Sequence, residues 1–177
     1  MLSIEPFESR WISQVKELTD QEIGLNYYTA LELEEKMNLS ILHKKTASFV
    51  LLDNKNVVAV RLTFPHGCWK SGKGQILSER LWPHPLAQTA YFQSLFIKKE
   101  YRGKGWGKAL SLTSIGVLKE LGCQGVVCHS WAESPQNSSK KYLDSLGFKS
   151  ICTYPEYWSA IDYQCPRCGT PCLCTAE

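Results

Sequence analysis

Apolar and polar positions change their period several times along the chain. Residues 2–7 alternate, with Leu2, Ile4 and Pro6 on one side and Ser3, Glu5 and Phe7 on the other, which predicts a first strand. Trp11, Val15 and Leu18 then fall on one helical stripe, and Ser9 is placed to cap a helix over residues 10–18. Residues 28–39, rich in Leu, Glu and Lys, predict a second helix. Residues 47–52 and 57–64 read as strands joined by Asp53-Asn54-Lys55-Asn56, a turn in which Asn and Asp tolerate left-handed geometry, so the pair is a β-hairpin. Residues 90–97 predict the next strand. Residues 105–121 predict a helix with Leu110, Val117, Leu118 and Leu121 on one face, ended by Gly122. A buried strand follows over residues 125–130. Ser134 as cap and Pro135 in the first turn open a helix that runs to Leu146 and closes at Gly147. Residues 148–153 form a last strand. The order β-α-α-β-β-β-α-β-α-β calls for an α/β fold with strands of mixed direction.

One stretch breaks the pattern. Residues 65–88 hold Pro65-His66-Gly67, Gly72-Lys73-Gly74, Pro83 and Pro85, with Trp69 and Trp82 among them. A loop of this length inside a compact domain is usually functional or flexible.

The 177 residues, 44% of them hydrophobic, suit one domain with a full core rather than a disordered chain. The net charge of +3 is too mild to imply nucleic acid, though a local cationic patch can still hold a small anion. The longest apolar runs, 49–52 and 57–60, are far short of the ~20 residues of a membrane span. The N-terminus, Met1-Leu2-Ser3-Ile4-Glu5-Pro6, has neither a basic nor an apolar leader region, which places the chain in the cytoplasm, where thiols stay reduced. Of the eight cysteines, Cys68, Cys123, Cys128 and Cys152 are scattered, and Cys165, Cys168, Cys172 and Cys174 crowd the C-terminus.

The most informative segment runs from Gln93 to Leu110. A strand enters a turn with glycines at 103, 105 and 107 and leaves it as a helix. Glycines let backbone N–H groups converge on an anion, the helix N-terminus adds a favourable dipole, and Arg102, Lys104 and Lys108 add charge. The chemistry is that of a phosphate or pyrophosphate site. A Walker A loop fails, because the fifth residue after Gly103 is Lys108, and a dinucleotide G-x-G-x-x-G also fails, because the glycines read G-x-G-x-G. The remaining spacing, Arg102-x-x-Gly105-x-Gly107, resembles the pyrophosphate loop of the GNAT superfamily of N-acetyltransferases, which reads Q/R-x-x-G-x-G/A and holds coenzyme A. Leu95-Phe96-Ile97 before the turn, and Tyr142-Leu143-Asp144-Ser145-Leu146-Gly147-Phe148 downstream, are similar to that family's strand-to-loop junction and helix end. The likeness covers residues 1–154, most closely 91–148 and least before 47.

That resemblance implies a single α/β domain with a mixed, mostly antiparallel central sheet flanked by helices, over residues 1–160. It implies that Leu95, Phe96, Ile97, Arg102, Gly103, Lys104, Gly105, Trp106, Gly107 and Lys108 bind acetyl-CoA, with Asn137 in the segment where relatives contact the pantetheine arm. A bulge in the strand matching residues 91–97 supplies oxyanion donors in the family. The chain also departs from the family pattern. The usual general-acid Tyr position is Leu143, and Tyr142 is one residue earlier, about 100° away around a helix, so Tyr142 is either the catalytic acid or a core aromatic. The position of a basic Glu on the central strand is Gln93, which cannot take a proton. His66, His84 and His129 are the titratable alternatives, each of which can equally be structural.

Cys165-Pro166-Arg167-Cys168-Gly169, followed by Cys172-Leu173-Cys174, places four thiols within one short tail, residues 161–177, packed on the same domain. A C-x-x-C turn presents two thiolates to one ion, and the alternation of an extended C-x-C adds two more, so the four form a structural Zn²⁺ site; free thiols or a disulfide are the other readings. The leading function is an acetyl-CoA-dependent N-acetyltransferase acting on a primary amine of a small molecule or protein, as monomer or homodimer, without nucleic acid or membrane partners. A non-catalytic acetyl-CoA sensor and a zinc-knuckle interaction protein are the alternatives. The loop at 65–88 and Tyr154, Tyr157 and Trp158 are expected to line the acceptor pocket.

Overall fold

The computed structural model describes residues 1–70 and 77–177; the expected Gly72-Lys73-Gly74 turn lies outside the described residues. The elements are β1 (Leu2–Pro6), α1 (Ile12–Glu22), α2 (Ala30–Leu39), β2 (Ile41–Leu42), β3 (Lys45–Thr46), β4 (Phe49–Asp53), β5 (Asn56–Phe64), β6 (Thr89–Ile97), α3 (Trp106–Glu120), β7 (Gly125–Cys128) and α4 (Ser138–Asp144). The main sheet runs β1-β4-β5-β6-β7. Its first three pairings are antiparallel and the last, β6 with β7, is parallel. This is the mixed, mostly antiparallel α/β sheet expected of the chain.

The two faces of the sheet are separate cores. Val15, Leu18 and Leu33 of α1 and α2 close over Val50, Leu52, Val60 and Leu62. On the other face Leu110 of α3 packs on Phe49, Leu51 and Ala59, and Leu118 on Ala90 and Phe92. The β4–β5 turn places Asn54 at φ 57°, as its residue type allows. The small β2–β3 ribbon has no counterpart among the sequence expectations. Its turn residues, His43 and Lys44, take positive φ without being glycine, asparagine or aspartate, so the turn carries no usual signature.

Several expected ends move. Ser9 caps nothing: the chain enters α1 through a 3₁₀ turn, Ser9–Trp11, with no side-chain cap. The effective cap belongs to α2, where Thr29 Oγ1 accepts from the Glu32 N–H at 3.1 Å and Glu32 Oε2 accepts from the Thr29 N–H at 2.8 Å, a reciprocal capping box. The helix expected from Pro135 starts only at Ser138, because Gln136 and Asn137 take left-handed φ of 57° and 56°. Ser134 Oγ accepts from the Ser139 N–H, 3.0 Å away, across that kink.

The largest departure is at the C-terminal edge. β7 is half-buried rather than buried along its length. The expected strand at 148–153 forms no ladder. The last residues of the chain occupy the edge instead: Ser130 and Glu177 exchange two backbone bonds of 2.8 and 2.9 Å, and the Ala132 N–H donates to the Thr175 carbonyl at 3.0 Å. Tyr154 bridges Ala176 from the other side. Anchoring of the cysteine-rich tail therefore takes the backbone partners that a final strand would have used.

Candidate active site and cysteine cluster

The site begins where β6 and β7 separate. They pair at Thr89 with Gly125, Ala90 with Val126, Tyr91 with Val127 and Phe92 with Cys128, and no further. β6 continues to Ile97 with its β7-facing side open. At the same level its register against β5 slips: Leu62 faces Ser94 while Thr63 faces Phe92, so Gln93 is an extra, bulged residue. The Lys98 N–H reaches across to the Val58 carbonyl on β5 at 2.9 Å. By alternation, Leu95 and Ile97 turn their backbone edges to the open side. Phe96 points its ring to the opposite face, edge-on to Tyr27 and Tyr28.

Beyond β6 the chain takes left-handed conformations at Gly103 (φ 71°) and Gly105 (φ 82°) before entering α3. The Ala109 N–H donates to the Gly105 carbonyl at 3.0 Å, so the N–H groups of Trp106, Gly107 and Lys108 have no partner within the helix. These donors and the helix dipole face the same turn. A Cβ at Gly103 or Gly105 would meet no atom within 4 Å, so glycine serves backbone conformation there and leaves room for a ligand. Gly107 serves packing. A Cβ there would lie 3.1 Å from side-chain methyls of Leu95 and Ile97, so its absence lets α3 lie close on β6. The Trp106 side chain packs into the core near Leu110. Lys104 and Lys108 are exposed at the turn.

Arg102 differs from its expected part as a free positive charge. Its Nε donates to the Ile97 carbonyl at 2.9 Å, and its guanidinium pairs with Glu22 at the end of α1. It braces the turn against α1. Arg102→Ala is therefore expected to loosen the turn and weaken acetyl-CoA binding by about 3- to 10-fold, the scale of one lost exposed pair and hydrogen bond. Isothermal titration would read this; a loss beyond about 100-fold would mean that the guanidinium holds phosphate directly.

The remaining candidates separate onto the two faces of the sheet. On the α3 face, Tyr142 lies against the start of α3: its ring edge is 3.6 Å from where a Gly107 Cβ would stand, and its hydroxyl is hydrogen-bonded to Ser111. Asn137 is exposed, with its N–H on the Ser134 carbonyl at 2.9 Å. On the other face Gln93 Nε2 donates to the Tyr28 hydroxyl at 3.1 Å, and that hydroxyl shares a 2.8 Å bond with Ser94 Oγ. Burial holds the Tyr28 phenol in its neutral form, well above the usual range.

The three histidines part company. His66 Nε2 is 3.1 Å from the Leu121 carbonyl, at the end of α3 opposite the glycine turn. His84 packs on Gly125. His129 follows directly on β7 at the fork, with Nδ1 at 2.8 Å from the Tyr91 hydroxyl. It stacks on Tyr157 at 4.4 Å and tilts against Tyr154 at 5.4 Å. Trp158 meets Tyr157 edge-on at 5.0 Å. Tyr91 is itself 1% exposed and its phenol is raised by that burial. Sequence reading singled out His129 but not Tyr91, because their hydrogen bond spans 38 positions. A cavity of about 580 Å³ follows the outer edge of β7 and reaches His129 and Tyr154; Leu77, Trp82, Phe148 and Ile151 also line it, where the expected last strand is missing.

The four tail cysteines converge. Their sulfurs lie within 4.8 Å of one another, with Cys165 to Cys174 at 3.9 Å, Cys168 to Cys172 at 3.9 Å and Cys168 to Cys174 at 3.6 Å. Tetrahedral zinc, with bonds of about 2.3 Å, spaces its sulfurs by about 3.8 Å. Sulfur also receives the donors a thiolate wants: the Leu173 N–H reaches Cys168 Sγ at 3.3 Å and the Tyr163 hydroxyl reaches Cys172 Sγ at 3.1 Å. Burial opposes ionisation of Cys165, but backbone donors at Cys168 and Arg167 outweigh it and bring the thiol down to about 7. Burial pushes Cys174 up to about 12. Cys172 and Cys174 sit in the α1/α2 core, and Tyr163 meets Tyr27 edge-on at 4.8 Å.

An anion cradle at one end of an opened strand, and a bulge at the other, suit a ligand with a diphosphate, a long amide-bearing arm and a reactive end. Acyl esters of coenzyme A have that form, and proteins that bind them this way are acyltransferases. Residues 23–148 match the family described as Acetyltransferase (GNAT) family, and the chain belongs to it: it is an acetyl-CoA-dependent N-acetyltransferase. No curated protein matches it in sequence. Among solved structures, it is similar to the ribosomal-protein-S18-alanine N-acetyltransferase of Escherichia coli, at 15% identity and TM-score 0.67, over 99% of this chain and 90% of that one. Ard1 of Thermoplasma volcanium aligns at 14% identity and TM-score 0.69, over 99% and 95%. An aminoglycoside N-acetyltransferase in complex with CoA aligns at 16% identity and TM-score 0.60, over 86% and 90%. Among the described residues no helix is long and apolar enough to cross a membrane.

Proposed function

We propose that the chain transfers the acetyl group of acetyl-CoA to a primary amine of a small molecule or protein, with acetyl-CoA entering on the α3 face and the amine on the opposite one. The observation that carries this reading is the fork itself: the sheet parts at the Gln93 bulge, and the free N–H groups at the start of α3 lie at the far end of the opened strand. The five residue steps from Phe92 to Ile97 span roughly 16 Å, the length of an extended pantetheine arm. Diphosphate on the turn from Gly103 to Lys108 thus puts the thioester at the bulge, and Leu95 and Ile97 offer their backbone edges to the arm's amides.

The amine must arrive neutral or lose a proton on attack. His129 is the group we assign to that proton, directly or through one water. It stands at the fork, its Nδ1 is held by Tyr91, and the Tyr154, Tyr157 and Trp158 rings around it suit a cationic amine. His129→Gln is expected to lower kcat by about 100-fold with little change in acetyl-CoA affinity, as for loss of a general base. An unchanged kcat would remove it from the mechanism.

The cysteine cluster we assign to a structural Zn²⁺. Four protein sulfurs complete its coordination and leave no position for substrate, so its part is to pin the tail to the α1/α2 core.

The direct test of the transferase reading is thermal unfolding with acetyl-CoA, with ATP and NAD as controls. Ligand at 100 times its Kd adds about 2.7 kcal/mol, or roughly 5–11 °C for a domain of this size. A shift with acetyl-CoA alone supports the reading and directs a screen of amines, in which turnover separates an enzyme from a sensor. No shift in folded protein refutes it.

A further inference from the structure

Among the described residues, Arg61 is the one buried cation that neither core explains. It is 4% exposed, in the middle of β5. Its Nε and Nη2 have no hydrogen-bond partner, and among the described residues no carboxylate pairs with it. Its guanidinium lies flat over the Phe92 ring, 3.5 Å from the centroid. A guanidinium stays charged at any pH of interest, so burying it without a counter-ion is costly, and the cost calls for an anion that arrives from outside.

The sheet register says where that anion would be. Arg61 faces Leu95 across the β5–β6 pairing, and Phe92 and Leu95 bracket the Gln93 bulge. Phe92 is also the last residue of β6 to pair with β7, through Cys128. The guanidinium therefore sits at the fork, on the α3 face, beneath Leu95. The titratable groups that face it are Tyr142 of α4, Cys128 of β7 and Tyr91 of β6. None is a standing counter-ion: the Tyr142 hydroxyl is engaged with Ser111, and burial raises the Cys128 thiol to about 11 and the Tyr91 phenol well above its usual range.

We propose that the Arg61 guanidinium stabilises the coenzyme A thiolate as it leaves. The inference rests on the acetyl-CoA reading above. In the step, the amine nitrogen attacks the thioester carbonyl and a C–N bond forms. The C–S bond then breaks with its electron pair left on sulfur, and the proton lost by the amine passes to His129 or water and on to solvent. Arg61 gives up no proton. It meets the negative sulfur with two unused N–H donors, and solvent protonates the thiolate after release.

The test compares binding of CoA and of desulfo-CoA, which lacks the sulfur, to the intact protein between pH 6 and 9.5. If Arg61 holds the thiolate, the bound thiol ionises well below its free value of about 8.5. CoA then gains on desulfo-CoA as pH rises toward that value, by about tenfold or more, and the ratio levels off above it; the linkage is roughly tenfold per unit of depressed pKa. Ultraviolet absorbance of bound thiolate reads the same ionisation. Arg61→Gln and Arg61→Met are expected to flatten the ratio while changing acetyl-CoA affinity by less than threefold, and Arg61→Lys to keep part of it. A flat ratio in the wild-type protein overturns the proposal without any variant, even where a variant fails to fold. If neither CoA nor desulfo-CoA binds, it is the acetyl-CoA reading that falls; if both bind with the same pH dependence, only Arg61's part falls.

Discussion

Gly105→Val is expected to reduce acetyl-CoA affinity by about a thousandfold, the sum of two or more lost charge-assisted hydrogen bonds. Gly105 holds φ 82° at the entry to α3. A β-branched residue avoids that region strongly, so valine would pull the chain back to negative φ and swing the N–H groups of Trp106 and Gly107 off their common focus. Nothing in the packing opposes the new side chain, since no atom lies within 4 Å of a Cβ there. The damage should therefore fall on binding and spare much of the fold. The measurement is the acetyl-CoA-induced rise in Tm, lost in the variant, beside a melting curve without ligand that shifts by only a few degrees. A variant that still shows the full acetyl-CoA shift would disprove the assignment of this turn to the diphosphate.

Removing the zinc we assign to the cysteine cluster is expected to have the second large effect. Metal analysis of protein purified without chelator should find one zinc per chain, and a chelator or Cys172→Ser should lower Tm by roughly 8–16 °C. Cys172 is fully buried and Cys174 nearly so, within the core that also holds Tyr27, Tyr28, Val15 and Leu18. Structural zinc contributes about 10–16 kcal/mol in peptides that fold only with metal. If only about 4 kcal/mol of that is felt by a domain with its own large core, the melting point still falls by roughly 8–16 °C. The tail also supplies the strand partners of Ser130 and Ala132 just past His129, so turnover should fall with the metal even where the sheet survives. Protein free of metal with an unchanged melting curve would refute the zinc assignment.

The glycine turn and the cysteine tail were legible in the chain because each is local. Gly103, Gly105 and Gly107 lie within five consecutive residues, and Cys165 to Cys174 within ten, so short-range spacing alone brings their donors together. The order of strands and helices was legible for a similar reason, since each element hides its own apolar face and the period of that face is written along it. Ends were less so. The Ser9 cap gave way to a 3₁₀ turn, and the helix expected from Ser134 and Pro135 was delayed by the left-handed Gln136 and Asn137.

What the chain alone determined, then, is a mixed α/β sheet, a glycine turn opening α3, and a four-sulfur knuckle. The tertiary structure decided the rest, through contacts between residues far apart in sequence. It pairs Arg102 with Glu22, 80 positions away in the chain. It sets Tyr91 on His129 at the fork, strands Arg61 beside Phe92, and pairs Glu177 with Ser130 just past β7. None of these has a local signature. Each depends on strand register, on a single bulged residue, or on which of two segments wins the same backbone hydrogen bonds, and those are properties of the assembled sheet.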